Sequence, residues 1–358
     1  MRPFLVPVLL ACLAALLVTA PLSEARLPRG FAGVLADGPA IDGTVSFEAQ
    51  AQAMQRNGVA WIRLPVYWRD VEPARGDLRL GALDAQVGAA ARAGLPVMPV
   101  VLVAPAWAAE KPGNFNSHPA RVSDYAGFVA ALARRYGRGG TYWNENAGPD
   151  LPISRWQIWN EPDLEPYWDQ EEPGWQNTYL PLLRAAGTAI REVDPSAQVV
   201  LAGLSNFSWT SLSRLYRAGA RGSFDIAAIN PFSRQVSGVM EIVRRYREVM
   251  KTNREASKRL ILSEVAWSSG KGMARQQFGW ETTEKGQASR LSALFRALAG
   301  KRRAYRIDSV AWATWLSPPL GSPDSFAYSG LNRMSGGRVV AKPALAAFRR
   351  SVAPPSPR

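Results

Sequence analysis

The sequence predicts an α/β protein that folds as a single (β/α)8 TIM barrel. Short apolar runs rich in β-branched residues alternate with longer segments whose apolar residues recur at helical spacing. Eight such pairs follow one another, and eight strands each followed by a helix close most naturally into a barrel. An open, doubly wound sheet is the alternative, but no Gly-rich phosphate-binding turn follows the first strand.

The apolar runs are the predicted strands, at residues 31–35, 59–64, 97–103, 156–159, 199–203, 224–229, 260–263 and 309–314. The predicted helices lie at residues 47–57, 83–93, 123–136, 175–193, 210–218, 239–253, 284–299 and 342–350. Local signals mark several boundaries. Ser123 and Thr283 offer oxygen acceptors to first-turn amides, Asp194-Pro195 stops the helix before it, and Pro162 ends the fourth strand.

The chain begins with features of a secretory signal peptide over residues 1–25. An apolar stretch from Phe4 to Ala20 is followed by the small-residue site Ser23-Glu24-Ala25, and we expect cleavage after Ala25. The apolar stretch is short for a membrane span, so we expect a secreted protein, extracellular or periplasmic, without stable membrane insertion. The predicted barrel then covers residues 26–351, and a Pro/Ser-rich tail covers residues 352–358.

The composition limits the chemistry. Cys12 is the only cysteine and lies in the predicted leader, so the mature chain would hold no internal disulfide and no thiolate metal site. His118 is the only histidine, which excludes a multi-histidine metal site and leaves one candidate for a Ser-His-Asp triad. We therefore expect no metal and no cofactor.

The net charge of +14 is spread along the chain, with 43 Lys and Arg against 29 Asp and Glu. One interpretation is association with anionic envelope polymers through a basic surface. The other is an Arg-rich solvated surface with no specific partner. No nucleic-acid partner is expected, because an exported chain without a recognisable binding motif gives no reason for one.

Two carboxylates stand at the ends of predicted strands. The fourth strand runs into Asn160-Glu161-Pro162, and the seventh ends in Ser263-Glu264. Strands four and seven face each other across the mouth of an eight-stranded barrel, so both carboxylates can point into one cleft. Glycosidic bond cleavage needs such a pair, one protonated and one ionised. Taken alone, Asn160-Glu161-Pro162 is a weak signal, and the alternative is a loop carboxylate that caps the next helix. The position of both carboxylates at strand ends favours the catalytic interpretation.

At these residues the sequence resembles the clan A superfamily of glycoside hydrolases, which are retaining TIM-barrel enzymes, and most of all their family 39 and cellulase-like family 5 members. The resemblance covers nearly the whole mature chain and implies a carbohydrate substrate, with Glu161 as general acid/base and Glu264 as nucleophile. The segments that carry it are Trp61-Ile62-Arg63-Leu64, Val71-Glu72-Pro73, Pro105-Ala106-Trp107 and 156–162.

The same resemblance implies roles for two further polar residues. Arg63 would hold the carboxylate of the nucleophile by a charge-assisted hydrogen bond, although a core ion pair would have the same geometry. Asn160 would bind the sugar 2-hydroxyl, although an Asn in this position also suits a turn.

Aromatic residues are expected on the catalytic face. The resemblance implies that Trp315, after strand eight, lies under the sugar at the cleaved bond. Trp68, Trp107 and Trp267 fall in predicted strand-to-helix loops, as do Trp168 and Trp209, and flat rings there can stack on sugar C–H faces. For any single ring, ordinary packing explains the position as well.

The sixth strand departs from the clan pattern. It exits as Asn230-Pro231-Phe232, where many members carry a tyrosine whose hydroxyl supports the nucleophile. Phe232 cannot donate a hydrogen bond, so Asn230 or Tyr67 would replace it, or activity would be reduced. His118, in the loop after strand three, is either a substrate contact or a solvated loop residue.

The sequence thus favours a retaining glycosidase that cleaves β-glycosidic bonds of an oligo- or polysaccharide. The alternative is a non-catalytic carbohydrate-binding protein that keeps the barrel and its aromatic cleft without turnover. Glu161, Glu264, Arg63 and Asn160 together favour the enzyme, and Phe232 favours the binding protein.

Overall fold

The computed structural model describes residues 26–171 and 174–352. The predicted signal peptide and residues 353–358 of the predicted tail lie outside this part of the chain. Among the described residues, no helix combines the length and apolar character needed to cross a bilayer.

Eight strands form the centre of the fold: β1 Ala32–Leu35, β2 Ile62–Tyr67, β3 Val97–Leu102, β4 Arg155–Ile158, β5 Gln198–Val200, β6 Ile226–Ile229, β7 Arg259–Val265 and β8 Ile307–Trp312. Each pairs in parallel with the next, and β8 returns to pair with β1. The predicted (β/α)8 barrel is therefore confirmed. The eight predicted strands overlap the observed ones, and β7 extends two residues further, so that Glu264 lies within the strand.

The helices pack around the barrel: α1 Phe47–Arg56, α2 Trp68–Val71, α3 Gly81–Arg92, α4 Val122–Tyr136, α5 Thr141–Glu145, α6 Trp175–Val193, α7 Ser208–Arg217, α8 Val236–Thr252, α9 Glu284–Lys301 and α10 Pro343–Ser351. Each predicted helix overlaps one of them, whereas the short helices α2 and α5 were not predicted. The Thr283 hydroxyl accepts a hydrogen bond from the Gly286 amide, as expected for the N-cap of α9.

A small sheet follows the barrel and was not predicted. Its strands are β9 Leu316–Ser317, β10 Asn332–Ser335 and β11 Arg338–Ala341. The last two form an antiparallel hairpin around Gly336 and Gly337, whose φ angles are 53° and 72°. The segment between β9 and β10 crosses the mouth of the barrel. Because β9 and β10 pair with each other, both ends of this segment are anchored in the small sheet.

The buried apolar residues of the described chain form two clusters, a large one that joins strands and helices and a small separate one that includes Met98, Ile226 and Ile261 of the strands. Strands β3 and β6 are buried at every position, as expected for parallel strands that are covered on both faces. The long helices bury one face each; in α6 this face includes Tyr179, Leu183 and Ile190. The packed interior fixes the strand ends, and it is from these ends that the polar residues described below project.

Candidate active site

A cavity of about 280 Å³ opens at the carboxyl ends of the barrel strands. Residues from or just after seven of the eight strands contribute to its lining, as is usual for sites on this fold. The charged residues that line it are Asp37, Arg63, Glu161, Glu264 and Asp324.

Glu161 reaches the cavity through an unusual backbone segment. β4 ends at Ile158, and the next residues include Trp159 with φ 66° and Glu161 with φ 42°. Non-glycine residues rarely adopt positive φ, and such strained positions concentrate at functional sites. The Glu161 amide donates to the Gly203 carbonyl, and the side chain is buried in the cavity wall. The Glu161 carboxyl group thus enters the cavity from a segment with strained backbone.

Glu264 enters the same cavity from β7 and forms an ion pair with Arg63. The Arg63 Nη1 lies 2.7 Å from Glu264 Oε1. Arg63 is only 2% exposed and is held by two further hydrogen bonds, from Nε to Gln157 Oε1 at 2.7 Å and from Nη2 to Asn160 Oδ1 at 2.9 Å. The guanidinium group is thus fixed against three partners, and a charge-assisted bond of this length favours the ionised form of Glu264.

Asn230 connects the two carboxylates. Its Nδ2 donates to Glu161 Oε1 at 2.9 Å and to Asn160 Oδ1 at 3.3 Å, and its Oδ1 accepts from the Ser263 hydroxyl at 2.7 Å. The Asn230 side chain also lowers the pKa of Glu264. The residue is fully buried, so this network orients both carboxylates with little freedom.

The two carboxylates differ in their electrostatic surroundings. Burial raises the pKa of Glu161 well above its ordinary value, the charge of Glu264 raises it further, and the hydrogen bond from Asn230 lowers it. Burial also raises the pKa of Glu264, but Arg63 opposes this effect at direct contact. The pKa of each group is raised overall, but only Glu264 has a cation in direct contact, which favours its ionised form over that of Glu161.

Asp37, Tyr67 and Tyr167 also line the cavity. Asp37 and Tyr167 were missed by the sequence analysis. Asp37 follows β1 after one residue, so the rule that strand ends carry the chemistry would have identified it. Burial raises the pKa of Asp37, and its interactions include Arg63 and a hydrogen bond with Tyr67. Tyr67, one of the suggested replacements for the missing tyrosine hydroxyl, thus faces Asp37.

The structure corrects the expected positions of three tryptophans. Trp68, Trp267 and Trp315 are buried in the core and do not line the cavity. Their indole N–H groups donate inside the protein, to Glu72, the Arg234 carbonyl and Gln50 in that order. Burial of a large ring with its N–H paired fills the space between barrel and helices, so these rings have no face open to a ligand.

Trp107 and His118 are half-buried outside the cavity. The Arg75 guanidinium lies 4.2 Å from the Trp107 ring centroid and covers it, while the Trp107 N–H donates to the Glu72 carbonyl. The His118 ring stacks on Trp168 at 5.3 Å. Trp209, the other ring expected on this face, makes an edge-to-face contact with Phe207, and the Arg245 guanidinium lies over its ring. Of the predicted site residues, the structure therefore brings together Glu161, Glu264, Arg63, Asn160 and Asn230.

No protein-family model matches the sequence, and the search of curated proteins found no match. Several solved structures share its fold. A family 39 glycoside hydrolase from Bacteroides cellulosilyticus WH2 superimposes with a TM-score of 0.68 at 19% identity, over 92% of this chain and 64% of that one. The present chain thus spans less than two thirds of that enzyme.

Two further structures show the same likeness. A family 39 β-xylosidase from Caulobacter crescentus gives a TM-score of 0.64 at 16% identity, covering 90% of this chain and 71% of that one. An endoglucanase from Pseudomonas stutzeri gives 0.60 at 14% identity, covering 92% and 96%. The predicted resemblance is thus confirmed in the fold, and the chain has the (β/α)8 barrel that these glycoside hydrolases share.

Proposed function

We propose that the protein is a retaining glycoside hydrolase that cleaves β-glycosidic bonds of an oligo- or polysaccharide. The observation that carries the proposal is that Glu161 and Glu264 line one cavity in contrasting surroundings, the first with a raised pKa and the second paired with Arg63. Glycosidic bond cleavage with retention needs one protonated and one ionised carboxyl group in this arrangement. The predicted leader supports action outside the cytoplasm.

The proposed reaction has two steps. The Glu264 carboxylate attacks the anomeric carbon and forms an ester with the sugar, while the glycosidic bond breaks and the Glu161 proton passes to the leaving oxygen. In the second step Glu161 takes a proton from water, the water oxygen attacks the anomeric carbon, and the ester bond breaks to release Glu264. Both carboxyl groups return to their starting protonation states.

The surrounding residues have defined parts in this scheme. Arg63 keeps Glu264 ionised and orients the oxygen that attacks. The Oδ1 of Asn160 accepts hydrogen bonds from Arg63 and Asn230. Its Nδ2 takes no part in these two bonds and is available to donate to a sugar hydroxyl. The solved structures of this fold include a β-xylosidase and an endoglucanase, which supports β-linked pentose or hexose substrates.

The stereochemistry of the product tests the mechanism. We expect hydrolysis of a 4-nitrophenyl β-glycoside to release the β-anomer first, because two displacements at the anomeric carbon restore its configuration. Proton NMR during the first minutes distinguishes the anomers before mutarotation mixes them. First release of the α-anomer would contradict the double displacement and indicate direct attack by water.

The pH dependence tests the pairing of the carboxylates. Activity should fall at low pH as Glu264 gains a proton, and at high pH as Glu161 loses its own. Asn230→Ala removes a donor that lowers the pKa of both groups, so both limbs of the kcat/KM profile should move to higher pH. Asn144→Ala, on the exposed side of α5, is the matched control and should leave the profile unchanged. A shift of either limb to lower pH would contradict this role of Asn230.

The alternative function is carbohydrate binding without turnover, and Phe232 is the residue that favours it. Phe232 lines the cavity and offers no hydrogen bond. The support that a tyrosine hydroxyl would give the nucleophile comes instead from Arg63 and Asn230. The test is hydrolysis of a panel of chromogenic β-glycosides and soluble polysaccharides. Hydrolysis of any of them would exclude the binding-only function, provided that the Glu264→Ala variant does not hydrolyse the same substrate.

A further inference from the structure

We propose that the cavity continues into a binding surface for an apolar aglycone, formed by an aromatic wall of Phe232, Phe278, Trp280 and Phe326. An aglycone is the non-sugar group of a glycoside, here an alkyl or aryl group that leaves when the bond is cut. The proposal deepens the proposed function and rests on it for the position of the cleaved bond.

The four rings of the wall contact one another directly. Phe326 lies at its centre, with centroid distances of 5.1 Å to Phe232, 4.9 Å to Trp280 and 5.4 Å to Phe278. Phe232 also lies 5.2 Å from Trp280. All four contacts are edge-on or tilted, and aromatic pairs prefer such arrangements to face-to-face stacking. Since Phe232 and Phe326 line the cavity, the wall is continuous with the site.

The wall extends from the cavity to the surface. Phe232 and Trp280 are buried, whereas Phe326 is 39% exposed and Phe278 is 58% exposed. Met273 and Leu320 are exposed on the same two loops, after β7 and β8. Four of the ten large apolar side chains that are exposed in the described part of the chain therefore lie on these loops. An apolar patch of this kind that adjoins a cavity indicates a binding surface.

The chemistry of the exposed rings selects the ligand. A phenylalanine ring can stack on the C–H face of a sugar, but it offers no hydrogen-bonding group, so Phe278 and Phe326 would leave the hydroxyl groups of a sugar unpaired and suit a wholly apolar group better. The polar groups that can do so, Arg63, Asn160 and the carboxylates, lie inside the cavity. This division places the sugar inside the cavity and an apolar group against the wall.

The wall is built from the exits of three neighbouring strands. Phe232 follows β6, Phe278 and Trp280 follow β7, and Phe326 follows β8 and β9. An apolar group that the wall holds while the sugar occupies the cavity is by definition the aglycone, and it departs with the glycosidic oxygen.

The wall is held in place before any ligand binds. Glu281 Oε1 accepts hydrogen bonds from the Phe278 amide at 2.6 Å and from the Ser325 hydroxyl at 2.8 Å, which links the loop after β7 to the loop after β8. Arg275 and Gln276 donate their amides to the Pro323 carbonyl at 3.0 and 2.9 Å. A surface fixed in this way loses little conformational entropy on binding.

The test compares octyl and methyl β-glycosides of xylose and glucose. Both aglycones leave as primary or methyl alcohols of similar acidity after Glu161 protonates the glycosidic oxygen, so a difference between them reports contacts with the alkyl chain. We expect kcat/KM for the octyl glycoside to exceed that for the methyl glycoside of the same sugar. In Phe278→Ala, which removes a ring outside the cavity lining, this octyl preference should fall roughly three- to tenfold, the loss expected for one ring contact, while methyl glycoside turnover is unchanged. Phe326→Ala should lower the octyl preference as well.

Phe207→Ala is the matched control. Phe207 is 70% exposed, lies at the start of α7 and does not line the cavity, so its removal should leave the octyl preference intact. Equal turnover of octyl and methyl glycosides, or an equal loss for both in Phe278→Ala, would overturn the proposal.

Calorimetric binding separates this inference from the proposed function. If no glycoside is hydrolysed, but the octyl glycosides bind more tightly than the methyl glycosides and Phe326→Ala removes the difference, the aglycone surface stands and the hydrolase assignment fails. If hydrolysis occurs without any octyl preference, the hydrolase assignment stands and the aglycone surface fails. The absence of detectable octyl glycoside binding, with hydrolysis also absent, would overturn both.

Discussion

Replacing Glu264 with alanine is expected to lower turnover of every substrate by a factor on the order of 10⁴ or more. The substitution removes the attacking group and leaves the buried Arg63 without the carboxylate that it contacts at 2.7 Å. The resulting space has the size and positive charge to admit a small anion. Azide should therefore restore part of the activity with an activated glycoside and release a glycosyl azide of inverted configuration, since only one displacement then occurs.

Glu248→Ala is the control for this experiment. Glu248 is exposed on α8, and its loss should change neither turnover nor the response to azide. Retention of more than a few per cent of the activity in Glu264→Ala would assign the nucleophile to another group. The other carboxylates that line the same cavity are Glu161, Asp37 and Asp324, and the last two would be the candidates.

Replacing Glu161 with alanine is expected to give a defect that depends on the leaving group. A substrate with a poor leaving group needs the proton from Glu161, so its turnover should fall by roughly 10² to 10⁴. An activated aryl glycoside needs no proton to depart, so its first step should survive while the second step, which needs the base, becomes slow. An initial burst of aryl product should then appear, and mass spectrometry should detect the sugar bound to Glu264.

Azide distinguishes this variant from the previous one. In Glu161→Ala it should attack the accumulated ester and yield a glycosyl azide of retained configuration, because a second displacement follows the first. If both variants lose activity equally on activated and unactivated substrates, and neither responds to azide, the assignment of the two roles is wrong.

The fold was predictable because its signals are local and repeated. A buried parallel strand requires an apolar run, and a helix that covers it requires an apolar face, so each of the eight pairs left its own pattern in the sequence. The hairpin of β10 and β11 was missed although Gly336-Gly337 is a turn signal, because its strands are short and β11 is exposed along its length, which gives no apolar alternation.

The polar residues of the cavity were partly predictable. Glu161 and Glu264 stand at strand ends, where position in the barrel gives a reason for them to point inward. Gln157, which accepts from Arg63, and Ser263, which orients Asn230, lie within strands that read as ordinary buried segments. Their partners are distant in the sequence, so no local pattern indicates these contacts.

The sequence by itself determined the barrel and the approximate position of two carboxylates, because secondary-structure periodicity and strand order follow from neighbouring residues. Tertiary structure alone decided which side chains share the cavity. The local sequence around a loop tryptophan does not show whether its ring faces solvent or the core. Packing placed Trp68, Trp267 and Trp315 in the core. Packing also placed Phe232 beside Phe326, although 94 positions separate them in the sequence. Contacts of this kind depend on how whole elements pack against each other, which no stretch of residues specifies alone.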